Sequence, residues 1–553
     1  MKKRLTFGMA FITWLSVSAQ YSLVQQTNPG ANAYVNFYHV TTDPLDNSIV
    51  TGYVEGTSLT LGNTTITATV DQRTFFLAKM DAAHNWLWAK SIPQTQTGNI
   101  SRINDIITDN NGNIYLTGGF WGTVVFDNIS VTSASGGGSP VDIFTAKMNS
   151  SGTFEWVKKE GTKTGSDYGR GIALDGSGNV YITGYVTRKA ITRPSLSPTE
   201  IIDAYLVKYN NAGAKLWEKK YSNGDNQYGV IGNSVATDAA GNVYFTGGFY
   251  GKVSFGSGSG LTINSNTNSA FLTKLNSSGT AQWAKTAIGV NNNNRGDNGT
   301  SIFIDHANNV YWGGIYWGTS SVIGTVTLSG QHNFLARYSS TGNLSWAVNV
   351  PNNDYRNSIG SIHIEIFKGS SISISVLSES YGFLEISPTD GSIITQDSFT
   401  GWNTTGNAVI PSAAATSYGH IFTGRVLGTV GLGNMTLSTG CEPYDSCFND
   451  GIEHAFIATY TPGALRKTNP VTAKEFVQTA IKVYPNPAVN QIIIQTVHNK
   501  VLGTLSVHDI SGKMIYRSWS GSSHAIIDVK HLPRGVYYLR SDQTDKVIKF
   551  VKQ

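Results

Sequence analysis

The stretch DNNGNIYLTG at residues 109–118 returns along most of this chain, and it limits what the chain can fold into. GNVYITG stands at 178–184, GNVYFTG at 241–247 and NNVYWGG at 308–314, with weaker forms NSIVTG at 47–52 and YGHIFTG at 418–424. Gly52, Gly118, Gly184, Gly247 and Gly314 therefore lie 66, 66, 63 and 67 residues apart. A fixed long period marks a repeat architecture whose units share one core. Each copy reads as an Asx/Gly turn followed by β-branched and aromatic residues that alternate into a glycine, which is taken as the strand end.

The unit at 104–159 contains four such strands: NDIITD, NIYLTGGF, DIFTAKMN and FEWVKK. The last two recur as FFLAKM and WLWAK, AYLVKY and KLWEKK, AFLTKL and AQWAK, and NFLARY and LSWAV, so that Trp88, Trp156, Trp217, Trp283 and Trp346 hold one position in five units. Degenerate units around 382–396 and 455–463 bring the number to seven. A four-stranded unit cannot bury both faces of its sheet alone. Radial packing of antiparallel blades does so while exposing only short edges. The fold class is all-β, a seven-bladed β-propeller over 21–463 followed by a small C-terminal β-sandwich, and the repeated Trp is a blade-packing anchor. The last unit has no Trp-bearing fourth strand. YSLVQQ at 21–26 has the pattern of FEWVKK and is expected to complete it.

These motifs resemble the SBBP β-propeller repeat, with its D-x-x-G-N-v-Y-v-T-G core, D-x-F-x-x-K strand and x-W-x-K strand. The resemblance implies a fold and transfers no catalytic residue.

Both ends of the chain concern export. Residues 1–20 run from MKKR through an apolar stretch to SVSAQ, the layout of a secretory signal peptide cleaved near Ala19 or Gln20. The run is too short for a membrane span, and no later segment is long enough. Residues 464–480 read as a linker, and 481–553 as alternating strands with D-x-x-G and P-x-G turns. This tail resembles the type A C-terminal sorting domain of the type IX secretion system. The matching residues are Tyr484, Pro485, Asn486 and Pro487, then Asp509, Gly512 and Lys513, then Leu532, Pro533, Gly535 and Tyr537. The resemblance implies recognition by that machinery and a secreted or outer-membrane surface location, after loss of the signal peptide and of the tail.

With ten Lys/Arg against four Asp, the tail carries a surplus of six; Lys2, Lys3 and Arg4 add three, which leaves residues 21–480 at −4 within the net +5. A domain of that charge is not a nucleic-acid surface.

Asp109, Asp175, Asp238 and Asp305, each four residues before an Asn, fit Asx turns and lack the ligand series of a calcium loop. Trp121, Tyr250, Tyr316 and Trp317 follow the core strand; they fit either sugar stacking at a rim or filling between blades, and both readings stay open. Polar insertions at 133–140, 192–201 and 256–261 are suited to binding. Cys441 and Cys447, the only cysteines, are read as a local disulfide worth about 2 kcal/mol rather than a metal site. No hydrolase, zinc-protease or phosphate-loop motif occurs. The expectation is a surface binding or scaffold protein without cofactor or metal, whose ligand is a glycan or a surface protein. The alternative is an extracellular polysaccharide hydrolase or lyase working in the propeller funnel.

Overall fold

The computed structural model describes residues 20–553 apart from internal segments, chiefly 190–199, 351–362, 366–373, 439–453 and 462–480. Residues 1–19, the expected linker, Cys441 and Cys447 therefore lie outside the described residues. Two compact units form, 1–465 and 466–553. Every regular element among the described residues is a strand.

The first unit is a β-propeller. Seven four-stranded antiparallel arrangements recur, each with an inner strand, two middle strands and an outer strand. Blade three, with strands Tyr168–Leu174, Val180–Lys189, Glu200–Tyr209 and Lys215–Tyr221, is typical. The inner strands of the others are Tyr34–Thr42, Gly98–Thr108, Val230–Thr237, Asn298–Ile304, His363–Glu365 and Gly406–Ala415. Each touches the next, and the last returns to the first, so the ring is closed. Apolar cores fill the gaps between successive sheets, as where Ile143, Trp156, Val180, Val207 and Tyr209 pack blade two on blade three.

One device is stamped on blades two to five. The repeated Asp accepts the amides two and four residues on through Oδ1, while Oδ2 takes the Asn Nδ2 and the hydroxyl of the Tyr six residues on, all at 2.7–3.2 Å for Asp109, Asp175, Asp238 and Asp305. This is the Asx turn, with the Tyr locked above it. The repeated Trp then reaches the next blade. The indole N–H of Trp156, Trp217, Trp283 and Trp346 donates to the carbonyls of Asn211, Ser277, Ser340 and Pro388 at 3.0–3.3 Å. Each ring, that of Trp88 included, lies under a turn glycine of the following blade: Gly152, Gly213, Gly279, Gly342 and Gly391, all at φ between +77° and +90°. A side chain there would be strained by backbone geometry and would press on the indole as well.

The glycines that set the period do not end their strands. In Ile114–Phe126, Val180–Lys189 and Val243–Ser254 the chain continues extended beyond Gly118, Gly184 and Gly247. Their role lies opposite, where the inner strand carries a β-bulge. A Cβ on Gly52, Gly118, Gly184, Gly247 or Gly314 would stand 1.7–2.4 Å from the carbonyl oxygen of Asn36, Arg102, Tyr168, Ile231 or Asn298. Only glycine admits that carbonyl.

The ring is closed by the N-terminal strand. Gln20–Gln26 pairs antiparallel with His454–Thr461, Tyr21 opposite Tyr460 and Gln26 opposite Phe456. Gln25 Oε1 also accepts the Trp86 indole N–H of blade one at 3.0 Å. Deleting residues 20–26 is expected to lower the thermal midpoint of the propeller and to promote association through the bared edge of His454–Thr461. An unchanged midpoint in differential scanning calorimetry excludes this closing role.

Candidate ligand-binding channel

The inner strands surround a central channel of about 1720 Å³. They are stitched to one another by side chains: Thr42 Oγ1 donates to Ala415 O, Thr108 Oγ1 to Thr42 O and Thr237 Oγ1 to Leu174 O, each at 2.7 Å. Near this end the lining is mostly aliphatic, with Ile107, Leu174, Ile304 and Ala415.

The starts of the inner strands differ, and the bulges are the reason. The register slips at Phe37/His39, Ile103/Asp105, Gly169/Gly171, Gly232/Ser234 and Gly299/Ser301. The extra residues are Tyr38, Asn104, Arg170, Asn233 and Thr300, and all five line the channel. Each stands fourteen residues before its repeating glycine. A bulge re-aims one side chain that regular alternation would send elsewhere, so one repeat column delivers four kinds of polar side chain from five blades, Asn twice.

Around these stand Arg102, Tyr168, Tyr185 and Trp317. The Arg102 guanidinium lies 5.5 Å from the Tyr38 ring centre and that of Arg170 5.3 Å from Tyr185. Arg170 donates to Asn233 Oδ1 at 2.8 Å, and the Asn104 and Asn233 amides donate to Gly169 O and Gly299 O at 2.7 and 2.9 Å. Desolvation by the close walls, with Arg102 nearby, holds the pKa of Arg170 below its ordinary value. Asp105 accepts the amides of Ile106 and Ile172; burial pushes its carboxyl up to about 7, against the pull of those two donors. Asp297 accepts the Trp317 amide at 2.8 Å. Among the described residues no group of three or more His, Cys, Asp or Glu is placed to hold a metal ion.

Of the four aromatics singled out from sequence, Trp317 alone lines the channel. Tyr316 is fully buried and donates its hydroxyl to Asn349 Oδ1 at 2.8 Å, so it has no face for a ligand and serves the packing between blades four and five. Tyr250 is half-buried at a bulge beside Gly251, its carbonyl accepting the Asn223 amide. Trp121, 38% exposed, faces solvent from the second strand of blade two. The insertions at 133–140 and 192–201 lie largely outside the described residues.

The second unit is a sandwich of two antiparallel sheets, one of Ile481–Tyr484, Gln491–Thr496 and His524–Asp528, the other of Met514–Ser520, Gly503–Asp509, Gly535–Ser541 and Thr544–Lys552. Ile492, Ile494, Leu505, Val507, Leu539 and Phe550 fill it. Residues 482–553 match the family model described as a secretion system C-terminal sorting domain. The tail is a type IX sorting domain. Within the sorting domain, Asn486 clamps the final strand, donating to Lys549 O at 3.0 Å and accepting the Val551 amide at 2.9 Å. Tyr537 stacks on Phe550 and donates to Pro533 O at 2.8 Å, which closes the LPRGVY turn, while Leu532 packs on the core. Tyr484 is exposed and donates to Gln495 Oε1; Asp509 ends its strand, and Gly512 and Lys513 fall outside the described residues. The sorting domain makes the protein a type IX secretion substrate with a secreted or outer-membrane surface location. Among the described residues no helix is long and apolar enough to cross a membrane.

Residues 155–185 match the β-propeller repeat SBBP. An uncharacterized WD repeat-containing protein of Acanthamoeba polyphaga mimivirus is 30% identical over 198 residues, 30% of this chain. The chain spans 13% of that relative's length. Among solved structures, a protein of unknown function from Dyadobacter fermentans aligns with 8% identity over 79% of this chain and 99% of its own, at a TM-score of 0.35. PorZ of Porphyromonas gingivalis, a surface component of the type IX secretion system, aligns with 12% identity over 94% of this chain and 82% of its own, at a TM-score of 0.20.

Proposed function

We propose that this protein is a surface-displayed propeller that binds a glycan in its central channel. The observation that supports the reading is the contrast between two sets of repeat positions. Scaffold positions carry the same residue from blade to blade: the Asx-turn Asp and Asn, the Tyr above them, and the Trp that caps the next blade. The column aimed into the channel carries Tyr38, Asn104, Arg170, Asn233 and Thr300 instead. A ring needing only mechanical closure would gain nothing from four polar chemistries converging on one cavity. Aromatic faces with amide and guanidinium groups between them suit a sugar, which has an apolar ring face and hydroxyls at its edge.

The exported unit, the expected linker and the sorting domain divide the labour in this reading: residues 21–463 bind, and 481–553 address the protein to the surface. The test is binding of the purified protein to an array of bacterial and host polysaccharides, repeated with Tyr168→Ala and Trp317→Ala. Each variant is expected to weaken binding about tenfold, the ~1.4 kcal/mol of one aromatic contact, with the thermal midpoint nearly unchanged. Unaltered affinity in both variants overturns the channel as the site. Release of new reducing ends during the same incubation assigns the funnel to catalysis instead.

A further inference from the structure

We infer that the glycan is acidic, its carboxylate or sulfate held between Arg102 and Arg170. The inference rests on the glycan-binding reading and sharpens it to a substrate class. Both guanidiniums are exposed to the channel, on the neighbouring inner strands of blades two and three. Arg73, Arg188 and several lysines of this propeller pair with carboxylates; among the described residues neither Arg102 nor Arg170 forms an ion pair within 4.0 Å. The ionisable acidic groups of the lining are already engaged. Asp105 is taken by the amides of Ile106 and Ile172, and Asp297, itself buried, by that of Trp317. His39 is the remaining titratable nitrogen of the lining.

The rest of the geometry prepares the two cations for an anion. The tyrosine rings of Tyr38 and Tyr185 support one face of each guanidinium, and Asn233 holds Arg170 through a single N–H. Arg102 and the N–H groups that Asn233 and Tyr185 leave on Arg170 line the channel, and planar guanidinium edges match a carboxylate or sulfate with two parallel hydrogen bonds. Without an anion the pair repels: desolvation first, and the Arg102 charge with it, hold the pKa of Arg170 below its ordinary value. An anion between them removes that repulsion in a partly desolvated site, where charge-assisted bonds are stronger than at an open surface. Phosphate tracking along nucleic acid does not fit, since the pair is isolated within residues 21–480 of net −4.

The test is isothermal titration of the full chain with four probes: oligogalacturonate, chondroitin sulfate, neutral dextran oligomers and polyglutamate. Binding to oligogalacturonate or chondroitin sulfate is expected to exceed dextran at least tenfold and to weaken about tenfold in Arg102→Gln and in Arg170→Gln, one lost charge-assisted contact each. Because a variant can fail to fold, the wild-type chain is also titrated at 0.05 and 0.5 M NaCl, where acidic binding falls and dextran binding does not. Dextran bound as tightly as the acidic probes, with both variants unaffected, overturns the acidic assignment and leaves a neutral glycan-binding channel. Preference for polyglutamate overturns it in favour of an acidic protein partner. Binding of none of the four overturns both the assignment and the glycan reading beneath it.

Discussion

A chain ended after residue 480 is expected to stay behind the outer membrane with its propeller folded, while the full chain reaches the cell surface or the medium. The tail is a separate compact unit with its own core, Ile492, Val507, Leu539 and Phe550 among its members, and the propeller closes on itself through Gln20–Gln26 without it. Removing the tail therefore takes away the sorting signal and leaves the ring intact. Immunoblots of periplasmic and extracellular fractions read the outcome, and protease resistance of the retained chain reports its folding. We further propose that the exported protein is cut between about residues 461 and 483, so that mass spectrometry of the extracellular form finds no peptide from 484 onward. Normal export of the truncated chain, or tail peptides on the released protein, overturns this assignment.

Trp156→Ala is expected to cost about 3–5 kcal/mol, seen as a large fall in the urea midpoint. Its indole is 8% exposed, touches Tyr115 and Tyr209 at ring separations of 6.2 and 6.4 Å, hydrogen-bonds Asn211 of blade three and lies under Gly213 of the same turn. Truncation leaves a void between two sheets that the rigid turn at Gly213 cannot fill, and it leaves the Asn211 carbonyl without its donor. Trp121→Ala is the matched control. That ring faces solvent, so its loss should move the midpoint by no more than about 0.5 kcal/mol. Equal costs for the two substitutions would show that the inter-blade contact does not carry the stability assigned to it.

Tyr316 and Trp317, for which both readings stayed open, show where sequence reasoning reaches its limit. The two follow directly on the strand Val310–Ile315, and nothing in their own order says which of them is buried. That was set by more distant residues of the same blade: Asn349 takes the Tyr316 hydroxyl, and Asp297 holds the Trp317 backbone at the channel.

Much of this protein follows from local chemistry and is legible in the chain itself. Asx and Gly spell the turns, alternation spells the strands, a period near 66 residues spells the blades, a recurring Trp marks their contacts, and a small module with Tyr484–Pro487 and LPRGVY marks the address. Even the strand that closes the ring was recognisable, because it repeats the pattern that the last unit lacks. The channel was not. A bulge exists only as a mismatch with a paired strand, so the column holding Tyr38, Asn104, Arg170, Asn233 and Thr300 looks like an ordinary interruption of alternation until the register is known. The pairing also explains the periodic glycines, which make room for a carbonyl across the sheet. Bringing Arg102 toward Arg170 needed, in addition, the packing of whole blades around one axis. That packing depends on contacts 60 or more residues apart, such as Asn104 on Gly169, which no local pattern encodes.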